Sequence, residues 1–323
     1  MNILVTGSAG FIGFSICEKL LKIKKIKKIF GIDNLNNYYS SKLKLKRTSI
    51  LLENNKFLFK KIDLIDNYSL NKFFKDHKID VVINMAAQAG IRYSYDNPKS
   101  YISSNIKGFQ NLLECLEKFK IKKCIFASSS SVFGDSKKYP LKETMNLNPK
   151  NIYSLSKQNN EILAKIYSNF IKTQFIGLRF FTIYGEWGRP DMFILKYIMS
   201  SVKKKNFELY NYGNHYRDFT YINDAVGLVE KILFKKFSKN FLIFNICSSR
   251  PIKILKVIKE INKYILSPKI IMKPLQKADV YKTHGSNKKI ISFFKSFKFT
   301  PYKIGISKTL NWFFENKKFL LKF

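Results

Sequence analysis

The amino-acid sequence predicts an α/β fold, with a doubly wound parallel sheet and a smaller, interleaved α/β lobe towards the C terminus. In the first half of the chain, short β-branched and aromatic runs alternate with segments whose apolar residues recur at helical spacing. A glycine-rich turn joins the first of these runs to the first helical segment. Alternation at this spacing is typical of βαβ units with right-handed crossovers, which build a parallel sheet.

Six runs in the first half are predicted strands, namely Ile3–Thr6, Ile26–Asp33, Lys56–Ile62, Val81–Ala86, Lys123–Ser128 and Phe175–Phe181. The clearest predicted helices between them are Phe11–Leu21, Ser69–Lys75 and Gly108–Phe119. After about residue 180 the alternation stops at a turn-rich loop, 185–190, which is followed by a helical stretch, Met192–Lys204, and a polar, aromatic segment, Glu208–Asp218. The strand-like run Phe241–Ile246 is expected to return to the sheet.

This change of pattern predicts two parts that pack around one cleft. A chain of 323 residues has room for one or two domains, and it contains no internal repeat or flexible linker. We assign residues 1–180, with a returning segment at about 220–248, to a nucleotide-binding domain. Residues 181–219 and 249–323 are assigned to a substrate-binding lobe.

The chain is strongly basic, with 59 lysines and arginines against 22 acidic residues and a net charge of +37. Such an excess is typical of proteins that bind nucleic acid or membrane surfaces. Here, however, the lysines are dispersed among Ile, Asn and Phe along the whole chain. A solvated basic surface is the simpler interpretation, and nucleic-acid binding stays a remote alternative.

Metal, disulfide and membrane chemistry are disfavoured. The four cysteines are scattered, and none of the three histidines has another histidine or a cysteine at ligand spacing. No apolar run approaches the roughly 20 residues that span a bilayer, and the N terminus enters a strand pattern without a signal sequence. We therefore expect a cytoplasmic protein without a metal ion.

The segment Gly7-Ser-Ala-Gly10-Phe-Ile-Gly13 predicts a dinucleotide site, because glycines after a first strand let a pyrophosphate approach the start of a helix. Asp33 ends the second strand, where a carboxylate accepts hydrogen bonds from the adenosine ribose and repels a 2′-phosphate. The first domain is therefore predicted to be Rossmann-like, with NAD rather than NADP as cofactor. Asp63, after the third strand, is a candidate for the adenine edge or for a helix cap.

Tyr153 and Lys157 are the candidate catalytic pair, because residues four apart share one helix face. A free tyrosine has a pKa of about 10, and a nearby lysine and a positive nicotinamide ring both favour its phenolate. A phenolate can remove the proton of a secondary alcohol as hydride leaves for NAD. Because Tyr-x-x-x-Lys matches are common by chance, the serine run 128–131 at the end of the fifth strand adds weight. One of its hydroxyls can hold the reacting oxygen.

Several of these segments resemble the extended short-chain dehydrogenase/reductase family. Its members share the spacing Gly-x-x-Gly-x-x-Gly, an alanine-rich turn similar to 84–88, and a mid-helix asparagine at the place of Asn105. Longer stretches are similar to the UDP-glucuronate 4-epimerases, namely 87–94, 178–185, 187–192 and 217–222. The resemblance runs from residue 1 to about 225 and continues more weakly through Asn245 and 276–279.

The resemblance implies NAD-dependent epimerisation at C4 of UDP-glucuronate, through a 4-keto sugar, to UDP-galacturonate. It implies a catalytic set of Tyr153, Lys157 and Ser129. The residues that it implies around NAD are Gly7, Gly10, Phe11, Ile12, Gly13, Asp33, Asn34, Lys44, Asp63, Leu64, Ala86, Ala87, Gln88, Tyr153 and Lys157. The residues that it implies around the UDP-sugar are Arg92, Ser129, Ser130, Ser131, Thr182, Arg189, Arg217 and Asp279.

Within the second set, the resemblance gives the residues different parts of the UDP-sugar. Arg217 matches a diphosphate-binding arginine and Asp279 a residue near the uridine ribose. Thr182 and Arg189 match positions that handle the sugar and its carboxylate. Arg92 is the weaker candidate, because an arginine beside a turn is more often a surface residue. For Arg217, a local ion pair with Asp218 stays the alternative.

The neighbouring reactions of this fold are less well matched. Related dehydratases place an Asp-Glu pair after the catalytic Ser/Thr, and decarboxylases of UDP-glucuronate keep a glutamate two residues after it, where Ser130 and Ser131 stand here. Decarboxylation stays an alternative, as does 4-epimerisation of another UDP-hexose or a UDP-N-acetylhexosamine. An inactive NAD-binding scaffold is a further one. Departures from the family at Phe133, 247–248 and Ala278 leave the nucleotide end of the pocket less well defined.

We also expect a homodimer, since dimers of the family pack two helices from each subunit. The candidates are Gly108–Phe119 and Asn159–Tyr167.

Overall fold

The computed structural model describes residues 1–276 and 279–322, so Ala278 lies outside the described residues. Its strands are β1 Asn2–Thr6, β2 Lys28–Asp33, β3 Phe57–Lys61, β4 Val81–Asn84, β5 Lys123–Ser129, β6 Gln174–Phe180, β7 Thr182–Tyr184, β8 Phe207–Tyr210, β9 Tyr216–Tyr221, β10 Phe241–Ile246, β11 Pro251–Lys253 and β12 Ile270–Lys273. Its α-helices are α1 Phe11–Leu21, α2 Ser41–Leu52, α3 Asn67–Asp76, α4 Tyr93–Asp96, α5 Pro98–Tyr101, α6 Gly108–Lys118, α7 Ile152–Tyr167, α8 Phe193–Val202, α9 Ile222–Phe234, α10 Ile254–Ile261, α11 Lys288–Phe293, α12 Tyr302–Glu315 and α13 Lys317–Leu320.

Seven parallel strands form the main sheet in the order β10-β6-β5-β4-β1-β2-β3. The predicted doubly wound α/β fold is confirmed, including the return of Phe241–Ile246, which pairs with β6. Strand order reverses beside β1, whose neighbours are β4 and β2. In doubly wound sheets a ligand binds at the carboxyl ends of the strands at this reversal. The fold therefore places the ends of β1, β2, β4 and β5 around one crevice.

Apolar side chains cover both faces of this sheet. Along β1, Ile3 and Val5 join one buried cluster and Leu4 joins another, because successive side chains point to opposite faces. Strands covered on both faces read as near-continuous apolar runs, as β4 does with four buried residues. No helix in the described part of the chain is long and apolar enough to cross a membrane.

The second half of the chain adds two small sheets beside the main one. Strands β11, β9 and β7 form the first, and β12 pairs with β8 in the second. The segment 208–218, which the sequence presents as one polar stretch, is divided between β8, a short 3₁₀ turn and the start of β9. The helix expected at Met192–Lys204 is shorter, since α8 spans Phe193–Val202. Helix α2 was not predicted.

Candidate active site

One cavity lies at the carboxyl ends of β1, β2, β4 and β5, where the topology places a ligand. All fifteen residues proposed around NAD line this cavity, together with Ser129 and Arg189 from the substrate set. Ser130, Ser131, Thr182, Arg92, Arg217 and Asp279 are not among the described residues of its wall. The structure thus brings the cofactor and catalytic candidates together but leaves much of the substrate set outside.

The glycine turn is shaped for a ligand that approaches the backbone. Gly7 has a φ of +67°, and a Cβ at Gly13 would lie 2.1 Å from the Gly7 carbonyl oxygen. Helix α1 begins after Gly10, and no side chain caps its first turn. Because the first N–H groups of a helix have no partner within it, an uncapped N terminus at a cavity fits a pyrophosphate. These residues therefore fit the NAD that the sequence predicts.

Asp33 is buried at the end of β2 and already has two backbone partners. Its carboxylate accepts hydrogen bonds from the N–H groups of Ala9, at 3.1 Å, and Leu35, at 2.8 Å. Burial raises the pKa of Asp33, while these hydrogen bonds and the nearby Lys44 and Arg47 oppose the rise. This carboxylate thus fixes the glycine turn as well as facing the cavity.

Asp63 is not a helix cap. It accepts hydrogen bonds from Asn34 Nδ2, at 2.8 Å, and from the N–H of Ile65, at 3.1 Å. The cap of α3 is Asp66, which accepts from the N–H of Ser69. The helix-cap interpretation of Asp63 is therefore wrong. Asp63 lies in the cavity wall, and its contact with the adenine edge stays a prediction.

Asn105 holds the turn after β4. It lies in a π-helical segment, Ile102–Lys107, between α5 and α6. Its side chain accepts from the N–H of Gln88 at 2.7 Å and donates to the Gln88 carbonyl at 3.0 Å. The same amide donates to Ser156 Oγ at 2.9 Å, so the turn is tied to α7 beside Tyr153.

Helix α7 presents Tyr153 and Lys157 to the cavity. Asn151 caps its N terminus by accepting from the N–H of Ser154. The Lys157 ammonium is buried and donates to the carbonyl of Ala127 at 2.9 Å, and burial lowers its pKa to about 8. Both members of the pair therefore meet the carboxyl end of β5.

The electrostatics of Tyr153 differ from the expectation. Burial raises the pKa of its phenol, and the groups that oppose this rise are a hydrogen bond with Ser129 and the charge of Arg189. Lys157 is not among them, because its ammonium is directed at a backbone carbonyl. Among the described residues, the charge that favours the Tyr153 phenolate is thus that of Arg189, and the joint effect of Lys157 and nicotinamide stays a prediction.

Ser129 is the serine of the run that faces Tyr153. Its oxygen accepts from the N–H of Ser131 at 3.1 Å and from the Ser131 hydroxyl at 2.9 Å. Because the Ser129 oxygen already accepts these two hydrogen bonds, its hydroxyl can donate its own proton to the Tyr153 phenol. Ser130 and Ser131 were expected to line the cavity. Neither is among the described residues of its wall, and Ser131 instead donates to Ser129.

Beneath this serine run lies a buried ion pair. Arg179 of β6 and Glu161 of α7 form two hydrogen bonds, at 2.9 and 2.8 Å. Glu161 also accepts from the hydroxyl of Ser128. The network joins α7, β5 and β6 directly behind Ser129.

Arg189 is the substrate candidate that reaches the catalytic residues. Its guanidinium lies 5.3 Å from the ring centre of Tyr38 and forms an ion pair with the partly exposed Asp191. Burial opposes the ionisation of Asp191, but the charge and hydrogen bonds of Arg189 outweigh it and lower the pKa of this carboxyl. A fixed cation therefore shares the cavity with Tyr153.

The remaining substrate candidates lie apart from the cavity wall. Arg92 pairs with Asp279 at 2.8 Å and its guanidinium lies 4.2 Å from the ring centre of Tyr210. Thr182 lies in a smaller adjoining cavity that also includes Arg189.

Arg217 does not form the alternative ion pair with Asp218. It donates to the carbonyls of Tyr216 and Tyr281, at 3.0 and 3.1 Å. Asp218 instead accepts from the hydroxyl of Ser248 at 2.8 Å and from the N–H of Gly285 at 3.0 Å.

Some residues of the site carried no assigned role in the sequence. Asn36, Tyr38, Tyr39 and Met192 line the cavity, and Arg47 lies buried behind it. The signal for the first three was the polar, aromatic run 34–39 after the second strand. Arg47 gave no signal, because a lysine-rich segment reads as solvent-exposed.

Comparisons with known proteins point to one family. Residues 3–247 match the NAD dependent epimerase/dehydratase family. An uncharacterized protein of Methanocaldococcus jannaschii is 42% identical, over 99% of this chain and 98% of its own. A UDP-glucuronate 4-epimerase of Thermodesulfobacterium geofontis is 35% identical, over 97% of this chain and 96% of its own. The crystal structure of the Bacillus cereus UDP-glucuronic acid 4-epimerase, in complex with UDP-glucuronic acid and NAD, superposes with a TM-score of 0.91. It is 28% identical and covers 98% of this chain and 99% of its own.

Proposed function

The chain belongs to the NAD-dependent epimerase/dehydratase family, and from that premise we propose that it is a UDP-glucuronate 4-epimerase. Its cofactor is NAD. The proposed reaction interconverts UDP-glucuronate and UDP-galacturonate through a 4-keto sugar. The roles given to individual residues below are part of this proposal.

The observation that supports UDP-glucuronate as the substrate is the position of Arg189. Its guanidinium lines the same cavity as Tyr153 and Ser129, and its charge acts on the Tyr153 phenol. A carboxylate is the group that an arginine fork binds best, through two parallel hydrogen bonds. A sugar with its C4 hydroxyl at Tyr153 and a carboxylate at C6 suits this arrangement. A neutral hexose offers Arg189 no charge.

The chain's own groups handle the proton of this reaction. NAD, held at the glycine turn and Asp33, would supply a reversible hydride acceptor. Tyr153 takes the proton of the C4 hydroxyl and gives it back after the 4-keto sugar has rotated in the pocket. Ser129 holds the reacting oxygen and shares its proton with the phenol. Burial raises the pKa of Tyr153 and the charge of Arg189 opposes this rise, so the positive charge of oxidised NAD would favour the phenolate further.

The wall of the cavity supports epimerisation over elimination. Removal of the C5 proton requires a base, and the only carboxylates among the described residues of the wall are Asp33, at the end of β2, and Asp63, after β3. Ser130 and Ser131 provide none. Return of the hydride is therefore the favoured outcome of C4 oxidation.

The test is turnover of UDP-glucuronate by the purified protein with NAD, followed by chromatography, with Tyr153→Phe as the matched variant. We expect UDP-galacturonate from the wild type. The variant should be slower by about 10²–10⁴-fold and should retain its NAD. A UDP-pentose with release of carbon dioxide would establish the decarboxylase alternative. Turnover of only neutral UDP-hexoses or of a UDP-N-acetylhexosamine would overturn the assignment of UDP-glucuronate as the substrate.

The division into two lobes, 1–180 with 220–248 and 181–219 with 249–323, also stays a proposal.

We further propose a homodimer. Helix α7 supports it, because Leu155, Ile162 and Ile166 on this helix are 46–50% exposed. Light scattering after size exclusion should give a mass near 76 kDa, twice the 37.9 kDa of one chain. An Ile162→Glu variant should shift it towards the monomer.

A further inference from the structure

Arg47 is a buried cation that no carboxylate of the described residues contacts directly. It lies in the middle of α2, and its side chain is fully buried at 0% exposure. In the described part of the chain, no carboxylate lies within ion-pair distance of its guanidinium. Burial of a charge without such a partner is costly, so the contacts that Arg47 makes instead point to a role.

Those contacts join two loops that are distant in sequence. One guanidinium nitrogen of Arg47 donates to the carbonyl of Ala9, at 2.9 Å, and to the hydroxyl of Tyr39, at 2.8 Å. The other donates to the carbonyls of Trp187 and Gly188. Ala9 lies inside the glycine turn, and Gly188 directly precedes Arg189. The Arg47 side chain therefore bridges the glycine turn and the loop that carries Arg189, the candidate partner of a sugar carboxylate.

The second loop has a backbone that needs such support. Trp187 has a φ of +57°, in the left-handed region that large side chains rarely adopt. Its indole packs against Phe14 of α1 and against Trp312, with ring centres 5.4 and 5.2 Å apart. Backbone in this region persists when its surroundings hold it there, and the Arg47 hydrogen bond at the Trp187 carbonyl is one such restraint.

The fork of an arginine suits this task. Its planar, rigid set of N–H donors can reach several carbonyls in fixed directions, which a lysine ammonium on a flexible stem cannot do at once. We propose that Arg47 is a positioning residue that fixes the Arg189 loop to the glycine turn. Recognition of the sugar's charged end thereby depends on the geometry of the cofactor turn. This inference rests on the proposed function.

The test compares ligand discrimination in Arg47→Lys and Arg47→Met, both in a Tyr153→Phe background that slows turnover. Dissociation constants for UDP-glucuronate, UDP-glucose and UDP are measured by calorimetry on the NAD-loaded protein. We expect Arg47→Lys to weaken UDP-glucuronate about tenfold, with UDP and UDP-glucose changed less than threefold. Equal weakening of all three ligands, or no change, would overturn the proposal.

One further variant separates this inference from the proposed function. Arg189→Met should remove the preference for UDP-glucuronate by itself. If Arg189→Met has no effect, the carboxylate assignment fails. If Arg189→Met has an effect and Arg47→Lys has none, only the positioning role fails.

A readout that does not depend on ligands uses the two tryptophans. In a Trp312→Phe background, Trp187 is the remaining indole, and Arg47→Lys should red-shift its emission as the loop loosens. Arg179→Lys is the matched control, because Arg179 is also buried but does not touch this loop. An unshifted spectrum in folded Arg47→Lys, or the same shift in Arg179→Lys, would contradict a restraint specific to the loop.

Discussion

The wall of the cavity and the rim that lies apart from it are built in different ways. In the wall, the ends of adjacent parallel strands place Gly7, Asp33 and Gln88 together, and hydrogen bonds to neighbouring turns hold them. At the rim, the substrate candidates Arg92 and Asp279 are 187 residues apart in the chain and meet only through side chains. The wall is held by the sheet itself, whereas the rim depends on a contact between distant segments. Substitutions should therefore cost more near the sheet than at the substrate rim.

The largest effect is expected where the catalytic strand end is anchored. Glu161→Gln leaves Arg179 as a buried charge without a counter-ion, and loss of one partner of a buried pair costs about 3–5 kcal/mol. Chemical denaturation of the variant measures the free energy of unfolding. Asp76→Asn breaks the exposed Lys72–Asp76 pair and is the control, with an expected change within about 0.5 kcal/mol. Equal losses in the two variants would remove the distinction.

Lys157 should show opposite pH dependences of activity and stability. Its pKa is lowered to about 8 in the folded protein, so above pH 8 the unfolded chain binds a proton that the folded protein does not. Its contribution to the free energy of unfolding therefore rises between about pH 8 and 10.5, by up to about 3 kcal/mol. Activity should fall in the same window as the ammonium is lost. Comparison of denaturation curves of wild type and Lys157→Met isolates this group from the other lysines, and parallel curves would contradict the assignment.

An intermediate effect is expected at the glycine turn. In Gly13→Ala, the new methyl would lie 2.1 Å from the Gly7 carbonyl oxygen, so the turn must shift. Overpacking of this kind costs about 1–3 kcal/mol, and the content of bound NAD should fall with it. Gly227→Ala on α9 is the matched control, because its methyl would meet Phe297 at an ordinary 3.4 Å. NAD retained in Gly13→Ala would show that the turn tolerates the shift.

The smallest effect is expected at the substrate rim. The Arg92–Asp279 ion pair is partly exposed, with side-chain exposures of 47% and 17%. A double-mutant cycle with Arg92→Ala and Asp279→Ala should give a coupling of about 0.2–1 kcal/mol. A coupling above about 2 kcal/mol would mean that the rim is as firmly built as the sheet.

Much of the cofactor wall could be predicted because its signals are local. Strand runs, a glycine turn and a carboxylate at a strand end all lie within short segments, and parallel strands bring their ends together. Helix α2 was missed because Lys44 and Arg47 are buried on it, so its polar residues do not mark an exposed face. Whether Arg92 binds substrate or pairs with Asp279 depends on a long-range contact, which no local pattern reports. The charge of Arg189 at Tyr153 was missed for the same reason, because it reaches the phenol from a distant segment, while burial sets the direction of the Tyr153 pKa.

Asp191 already forms an ion pair with Arg189. Under the proposed function, a sugar carboxylate would have to displace or share this anion, which is tethered two residues away and whose effective concentration far exceeds that of a free ligand. The charged end of the sugar would then be bound against an opposing equilibrium, with a modest net affinity. Such a weak hold would suit a sugar ring that rotates within each catalytic cycle, while the nucleotide would supply the retention.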